Sequence, residues 1–140
     1  VILNQFVCFI KRNRVKPKNP LDAVGSLILK HQGKVSLDWL AKEACLSVKQ
    51  FERNFEDQIG ITPKLFARVT RFDKAYRMKQ LYPEMDWLSV AVNCGYHDYQ
   101  HLVRDYKDFT SHTPTGFYKV EEHSPERTWG LSEYYRDCIQ

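Results

Sequence analysis

The chain has 140 residues, enough for about one domain with a real core. Its 43% hydrophobic and 27% charged content is that of an ordinary soluble globular protein. The net charge of +4 suits a polyanionic partner without demanding one, and the four cysteines lack any C-x-x-C or metal-ligand spacing, which points to reduced thiols in a cytosolic protein rather than a metal site.

The opening run VILNQFVCFI, ten residues, is too short to span a bilayer. It has no basic stretch before it and KRNR after it, so it does not read as a signal peptide. Ile2, Phe6, Phe9 and Ile10 recur at helical spacing, and Lys11, Arg12 and Arg14 suit a helix C-terminus. This predicts a helix over residues 1–13 that leads in from an upstream domain, an expectation strengthened by the start at Val rather than Met. VKPKNP, at 15–20, is a linker. A helix is then predicted over about 20–32, with Leu21, Val24, Leu27 and Ile28 inward and Gly33 as its stop.

A first helix-turn-helix is predicted over about 36–59, closed by Gly60. Thr62 caps a long helix with Pro63 at its first position, where a missing N–H costs nothing, and Pro83 ends it near Leu81. The inward stripe reads Leu65 or Phe66, Val69, Phe72 and Tyr76. The polar side carries six cations, Lys64, Arg68, Arg71, Lys74, Arg77 and Lys79, against Asp73 alone. A second helix-turn-helix follows over about 86–109. In it Asp98 is a good N-cap, Leu102, Tyr106 and Phe109 mark the buried face, and Gln100, His101, Arg104 and Lys107 look outward. Thr113-Pro114 opens a short helix that includes Phe117 and Tyr118, and the tail from Glu121 is mixed and carries no functional signal.

The two units are copies. At an offset of 51, Ser47 takes the place of Asp98, Phe51 of Leu102, Arg53 of Arg104, Phe55 of Tyr106, and Thr62-Pro63 of Thr113-Pro114. Upstream the offset is 50, pairing Ser36 with Asp86, Ala41 with Ala91 and Ala44 with Cys94, and one extra residue near Gly95 absorbs the difference. Cys45 and Cys94 fall where such units want small residues at the turn, so packing is their expected role. Apolar residues at helical spacing are core. Chance explains less well the outward pairs recurring in register, Lys49 with Arg53 and Gln100 with Arg104, which favours a nucleic-acid face over an ordinary solvated one. The long helix between the copies spans ~28 Å, near the ~34 Å between successive major grooves on one face of B-DNA.

LSVKQFERNFEDQIGITPKLFARVTRF and VNCGYHDYQHLVRDYKDFTSHTP together resemble the DNA-binding domain of AraC/XylS-type bacterial transcription regulators, over about residues 20–120. The resemblance implies an all-α fold of seven helices: two helix-turn-helix subdomains joined by a long central helix, a homeodomain-like tandem, here with the N-terminal lead-in helix added. The domain division is then 1–19 for lead-in and linker, 20–120 for the tandem (20–60, 62–81 and 86–120), and 121–140 for the tail. It further implies that both recognition helices enter adjacent major grooves of double-stranded DNA, and that any effector ligand binds an upstream domain. RNA polymerase is a further expected contact, the expected location is the bacterial cytoplasm, at the nucleoid, and no cofactor or membrane is involved.

By the resemblance, base-reading positions fall on Lys49, Glu52 and Arg53 in the first unit and on Tyr99, Gln100, Val103 and Arg104 in the second; Gln50 and His101, on the same two helices, complete the expected DNA-binding sets. Arg53 and Arg104 can each fork onto guanine O6 and N7, Gln100 can pair with adenine, and Val103 favours a thymine methyl. Lys49 can reach a base or a phosphate; Glu52 can accept from cytosine or hold Arg53 or Lys49 in place. Ser47, Lys64, Arg68, Arg71 and Lys107 are the expected phosphate contacts. Where the family usually has a glycine before the second Thr-Pro this chain has Ser111, with His112 after it, so that helix is expected to end differently. Two rival readings differ in class. His97 and His101, four apart, have a zinc spacing but no third ligand, and the same fold can serve as a protein-interaction module for polymerase or a co-regulator.

Overall fold

The computed structural model describes residues 20–123. These form seven helices and no strand: α1 (Pro20–Lys30), α2 (Leu37–Glu43), α3 (Val48–Ile59), α4 (Pro63–Leu81), α5 (Trp87–Cys94), α6 (Tyr99–Thr110) and α7 (Pro114–Glu122). The predicted lead-in helix, its linker and the tail beyond His123 lie outside the described residues. The described chain forms two compact units, one ending at Tyr99 and the other beginning at Gln100.

Helix starts follow from local chemistry. Ser36, Ser47, Thr62, Asp86 and Thr113 each sit in extended backbone, and each side chain accepts from an amide of the first turn. At Ser47 the box is reciprocal, because Gln50 Oε1 accepts from the Ser47 amide at 3.2 Å and hydroxyl at 2.9 Å. The Ser89 hydroxyl and amide beside Asp86 hold its carboxyl below the usual aspartate range. Pro63 and Pro114 occupy first-turn positions, where the missing donor is not needed.

Helix ends are less uniform. α1 stops at Lys30, a little short of its predicted end, and unwinds through Gln32 and Gly33, both at positive φ. α3 and α6 end alike, although one closes on glycine and the other does not. The Gly60 amide donates to Glu56 O at 2.8 Å with φ +85, and the Ser111 amide to Lys107 O at 2.9 Å with φ +62. Ser111 thus takes the left-handed cap that glycine adopts without penalty, and the predicted difference in ending is one of strain, not of path.

In the unit ending at Tyr99, α4 packs against α1, α3 and α5. Val24, Ile28, Leu40, Ala41, Phe51, Phe55, Phe66, Ala75, Val90, Ala91 and Cys94 are buried there. Phe55 bridges Phe51 and Phe66, with ring centroids 5.7 Å apart on each side. Val69, Phe72 and Tyr76 are half-buried, and Ala75 sits deeper than any of them.

The basic side of α4 is largely engaged within the fold. Helices on several sides leave the rod little free surface, so most of its long cations fold onto neighbours. Lys79 is only 9% exposed, and its ammonium donates to the carbonyls of Pro83 and Met85 at 2.6 Å each, 5.1 Å from the centre of the Trp87 ring. Arg77 Nε lies 2.9 Å from Asp73 Oδ2. Lys74 donates to Asn93 O at 2.9 Å, and Arg71 lies over Tyr96. Lys64, at the N-terminus, is exposed.

In the unit from Gln100, Leu102 and Tyr106 are buried and Tyr106 meets Phe117 edge-on at 6.0 Å. Two expectations about cysteine and histidine also need amending. Cys94 is a packed residue, its Sγ 3.9 Å from Met78 Sδ, but Cys45 is exposed and holds a turn at φ +55. His97 precedes α6 instead of lying on it, so its spacing to His101 is not a helical i, i+4 pair.

Candidate nucleic-acid interface

The first face is the outer side of α3. Phe51 and Phe55 turn one stripe into the core, which by helical period leaves Lys49, Gln50 and Arg53 exposed and Glu52 half-exposed. Among the described residues, the side chains of Lys49, Glu52 and Arg53 make no hydrogen bond, ion pair or ring contact. Glu52 therefore does not tether Arg53 or Lys49 here. Gln50 commits its amide oxygen to the Ser47 cap, and Ser47 uses its own hydroxyl in the same box. The presented chemistry is an ammonium and a guanidinium one turn apart, with a carboxylate between them.

The second face is the outer side of α6. Leu102, Asp105 and Tyr106 point inward, while Gln100, His101, Arg104 and Lys107 are exposed and Tyr99 and Val103 are half-exposed. Gln100, Arg104 and Lys107 have no side-chain partner among the described residues. The presented chemistry is an amide and a guanidinium in the register of Lys49 and Arg53, with an isopropyl group beside them. Asp105, 5% exposed, is a buried acid that period alone predicts only by its position three residues after Leu102.

The expected phosphate contacts are placed unevenly. Lys64 and Lys107 are exposed near a helix N-terminus and on α6 respectively. Arg68 and Arg71 are half-buried on α4, and the Arg71 guanidinium carbon stands 5.4 Å from the centre of the Tyr96 ring. Lys34, unremarked in the sequence because it lies in the loop after α1, donates to the same Asn93 oxygen as Lys74, at 3.4 Å. Among the described residues no group of three or more His, Cys, Asp and Glu side chains could hold a metal, and no helix is long and apolar enough to cross a membrane.

The family model described as "Helix-turn-helix domain" matches residues 40–119. Among solved structures, the DNA-binding domain of AdpA, the global transcriptional factor, in complex with a target DNA, is similar with a TM-score of 0.67 and 22% identity, covering 74% of this chain and 93% of that one. A DNA-binding transcriptional dual regulator from Escherichia coli K-12 is similar with a TM-score of 0.60 and 20% identity, covering 76% of this chain and 98% of that one. No curated protein sequence matches the chain. The two structural likenesses establish the tandem fold, and the family match extends over more than half of the chain, across α3 to α6 and most of α2 and α7. The chain belongs to the AraC-type helix-turn-helix family of DNA-binding transcription regulators.

Proposed function

We propose that the chain reads double-stranded DNA through α3 and α6, each in one of two adjacent major grooves, and thereby regulates transcription. The observation that carries this reading is the recurrence of an exposed arginine without an internal partner at the same register of both helices, Arg53 and Arg104. A guanidinium bound to nothing in the protein keeps all its donors for guanine O6 and N7. Gln100 is equally unengaged and matches the edge of adenine; Val103 suits a thymine methyl. Lys49 serves a base or a phosphate, and Glu52 accepts from a cytosine amino group. Tyr99 and His101 flank this set. Lys64, Lys107 and the α4 arginines Arg68 and Arg71 would meet phosphates, with Ser47 holding the first reading helix in shape. The AdpA domain, with the same fold, is bound to a target DNA, which supports the same partner here.

In this reading residues 20–120 are the DNA-binding part, no cofactor or catalytic step is involved, and any effector acts through an upstream domain, with the protein working at the bacterial nucleoid. Selection from random duplex with the purified chain tests it. The expected product is a two-box site with the boxes about one helical turn, ~34 Å, apart. Selection of a single box would remove one reading helix, and no enrichment at all would remove the proposal. One observation favours a second reading. Leu88 and Val92, four apart on α5, are 58% and 60% exposed, which suits a module docking polymerase or a co-regulator. Failure to be retained on duplex at low salt would favour that reading.

A further inference from the structure

Three cations outside the two reading faces gather at one place in the unit ending at Tyr99. Lys34 and Lys74 donate to one acceptor, the Asn93 carbonyl, at 3.4 and 2.9 Å. Arg71, one turn before Lys74 on α4, stacks on Tyr96 and has its Nε buried without a hydrogen-bond partner. The loop that carries Lys34 sits against Arg71, since a Cβ on Gly33 would stand 2.9 Å from Arg71 Cγ. The Lys34 chain then crosses Gly95, whose hydrogen leaves the room a Cβ would take from Lys34 Cε. One backbone approach thus brings the three side chains to the turn between α5 and α6.

The bland account is that two lysines complement the C-terminus of α5. Its dipole amounts to about half a negative charge, against three positive ones. No carboxylate among the described residues pairs with Lys34, Arg71 or Lys74. Asp73, on the same helix, is engaged with Arg77. The neighbouring Cys94 does not supply the anion either, because burial pushes its thiol up while the two ammonium groups only partly counter that. The acceptor the two lysines share is a single neutral carbonyl, so the positive charge of the three is not offset by a side chain among the described residues.

We propose that Lys34, Arg71 and Lys74 form a phosphate-binding site beside the turn that leads into α6. Where the phosphate belongs to a duplex backbone, the site rests on the DNA reading above; where it is free phosphate, it does not. The variant Lys34→Gln/Lys74→Gln removes charge and keeps a polar side chain one atom shorter, and Lys34→Arg/Lys74→Arg keeps the charge. In the first measurement, binding to a selected and to an unrelated duplex is followed from 50 to 200 mM salt, as an order-of-magnitude range. The glutamine variant is expected to bind both more weakly by the same factor, with the slope of log K against log salt shallower by about 1–2, and the arginine variant to restore it. In the second, the thermal midpoint of the DNA-free chain is followed as inorganic phosphate replaces chloride at matched ionic strength. A saturable rise, lost in the glutamine variant and kept in the arginine one, identifies a free-phosphate site.

A changed slope alone assigns the site to the duplex backbone, and a phosphate-dependent midpoint alone assigns it to a free anion. If neither quantity differs between wild type and the glutamine variant, the site does not exist. If the wild-type chain binds no duplex, the DNA reading falls and the midpoint measurement alone decides this one.

Discussion

Arg104→Ala separates reading from folding. Arg104 is exposed on α6 and its side chain has no hydrogen bond, ion pair or ring contact among the described residues. Truncating it deletes no internal interaction, and alanine is the best helix former, so stability is expected to stay within about 0.5 kcal/mol of wild type. On the proposed reading the same change removes a bidentate contact with DNA, an expected cost of about 1–3 kcal/mol, or roughly 5- to 150-fold in affinity. The loss is confined to sequences with the correct base at one position; duplexes already wrong there lose little. Competition gel shifts against a panel of single-base-pair variants read this as a flattened preference at one position. Equal loss on every duplex would make Arg104 a phosphate anchor, and a fall in urea midpoint would make it structural. Either result refutes its place as a reader.

Four further outcomes follow from particular contacts. Ser111→Gly relieves a left-handed residue at φ +62, a strain of about 1–2 kcal/mol, against an entropic cost of about 0.5–1 for glycine. Its thermal midpoint should rise by roughly 2–4 °C. Lys79→Met leaves the carbonyls of Pro83 and Met85 without their ammonium donor and should cost about 1–3 kcal/mol in urea unfolding. The Asp86 carboxyl is held low in the folded chain by Ser89, so its contribution is present above the unfolded aspartate pKa and is lost as pH falls through the folded one. Asp86→Asn should remove that acid-side dependence in thermal melts from pH 7 down to about 2. Peptide mapping after iodoacetamide should find Cys45 modified in the native chain and Cys94 modified only in denaturant, since Cys45 is exposed and Cys94 is buried with its thiol pushed up.

Elements with period and punctuation were legible in the chain itself. The bounds of α4 follow from Thr62-Pro63 and Pro83, and the buried Phe51, Phe55, Leu102 and Tyr106 from helical spacing. The outward Lys49, Arg53, Gln100 and Arg104 are the remainder of the same pattern. Less legible was the fate of the long polar chains, because which acceptors reach them depends on how the backbone turns after each helix and on packing. Nothing local to Lys79 announces that the α4–α5 loop will turn its carbonyls toward it. Lys34 lies in a loop with no period, and meets Asn93, 59 residues away, only after folding. Ser111 shows a subtler limit, since the missing glycine was visible but the backbone keeps the glycine path.

The same distinction picks out the proposed reading residues more sharply than charge does. By count, α4 is the most cationic element, and a charge map would send DNA there first. Yet Lys79 holds two carbonyls, Arg77 an aspartate, Lys74 a carbonyl and Arg71 a ring, so recruiting any of them to a base edge would first break or stretch an internal contact. Arg53 and Arg104 face no such cost, and Gln100 exchanges only water. Sequence discrimination comes from the side chains whose hydrogen-bonding capacity is unspent, because only those carry the full difference between a matched and a mismatched base. A basic helix with its cations engaged can still offer residual positive potential to phosphates, which raises affinity on every sequence alike. On the proposed reading, the helices therefore divide by engagement: α4 would supply uniform attraction, and α3 and α6 would supply choice.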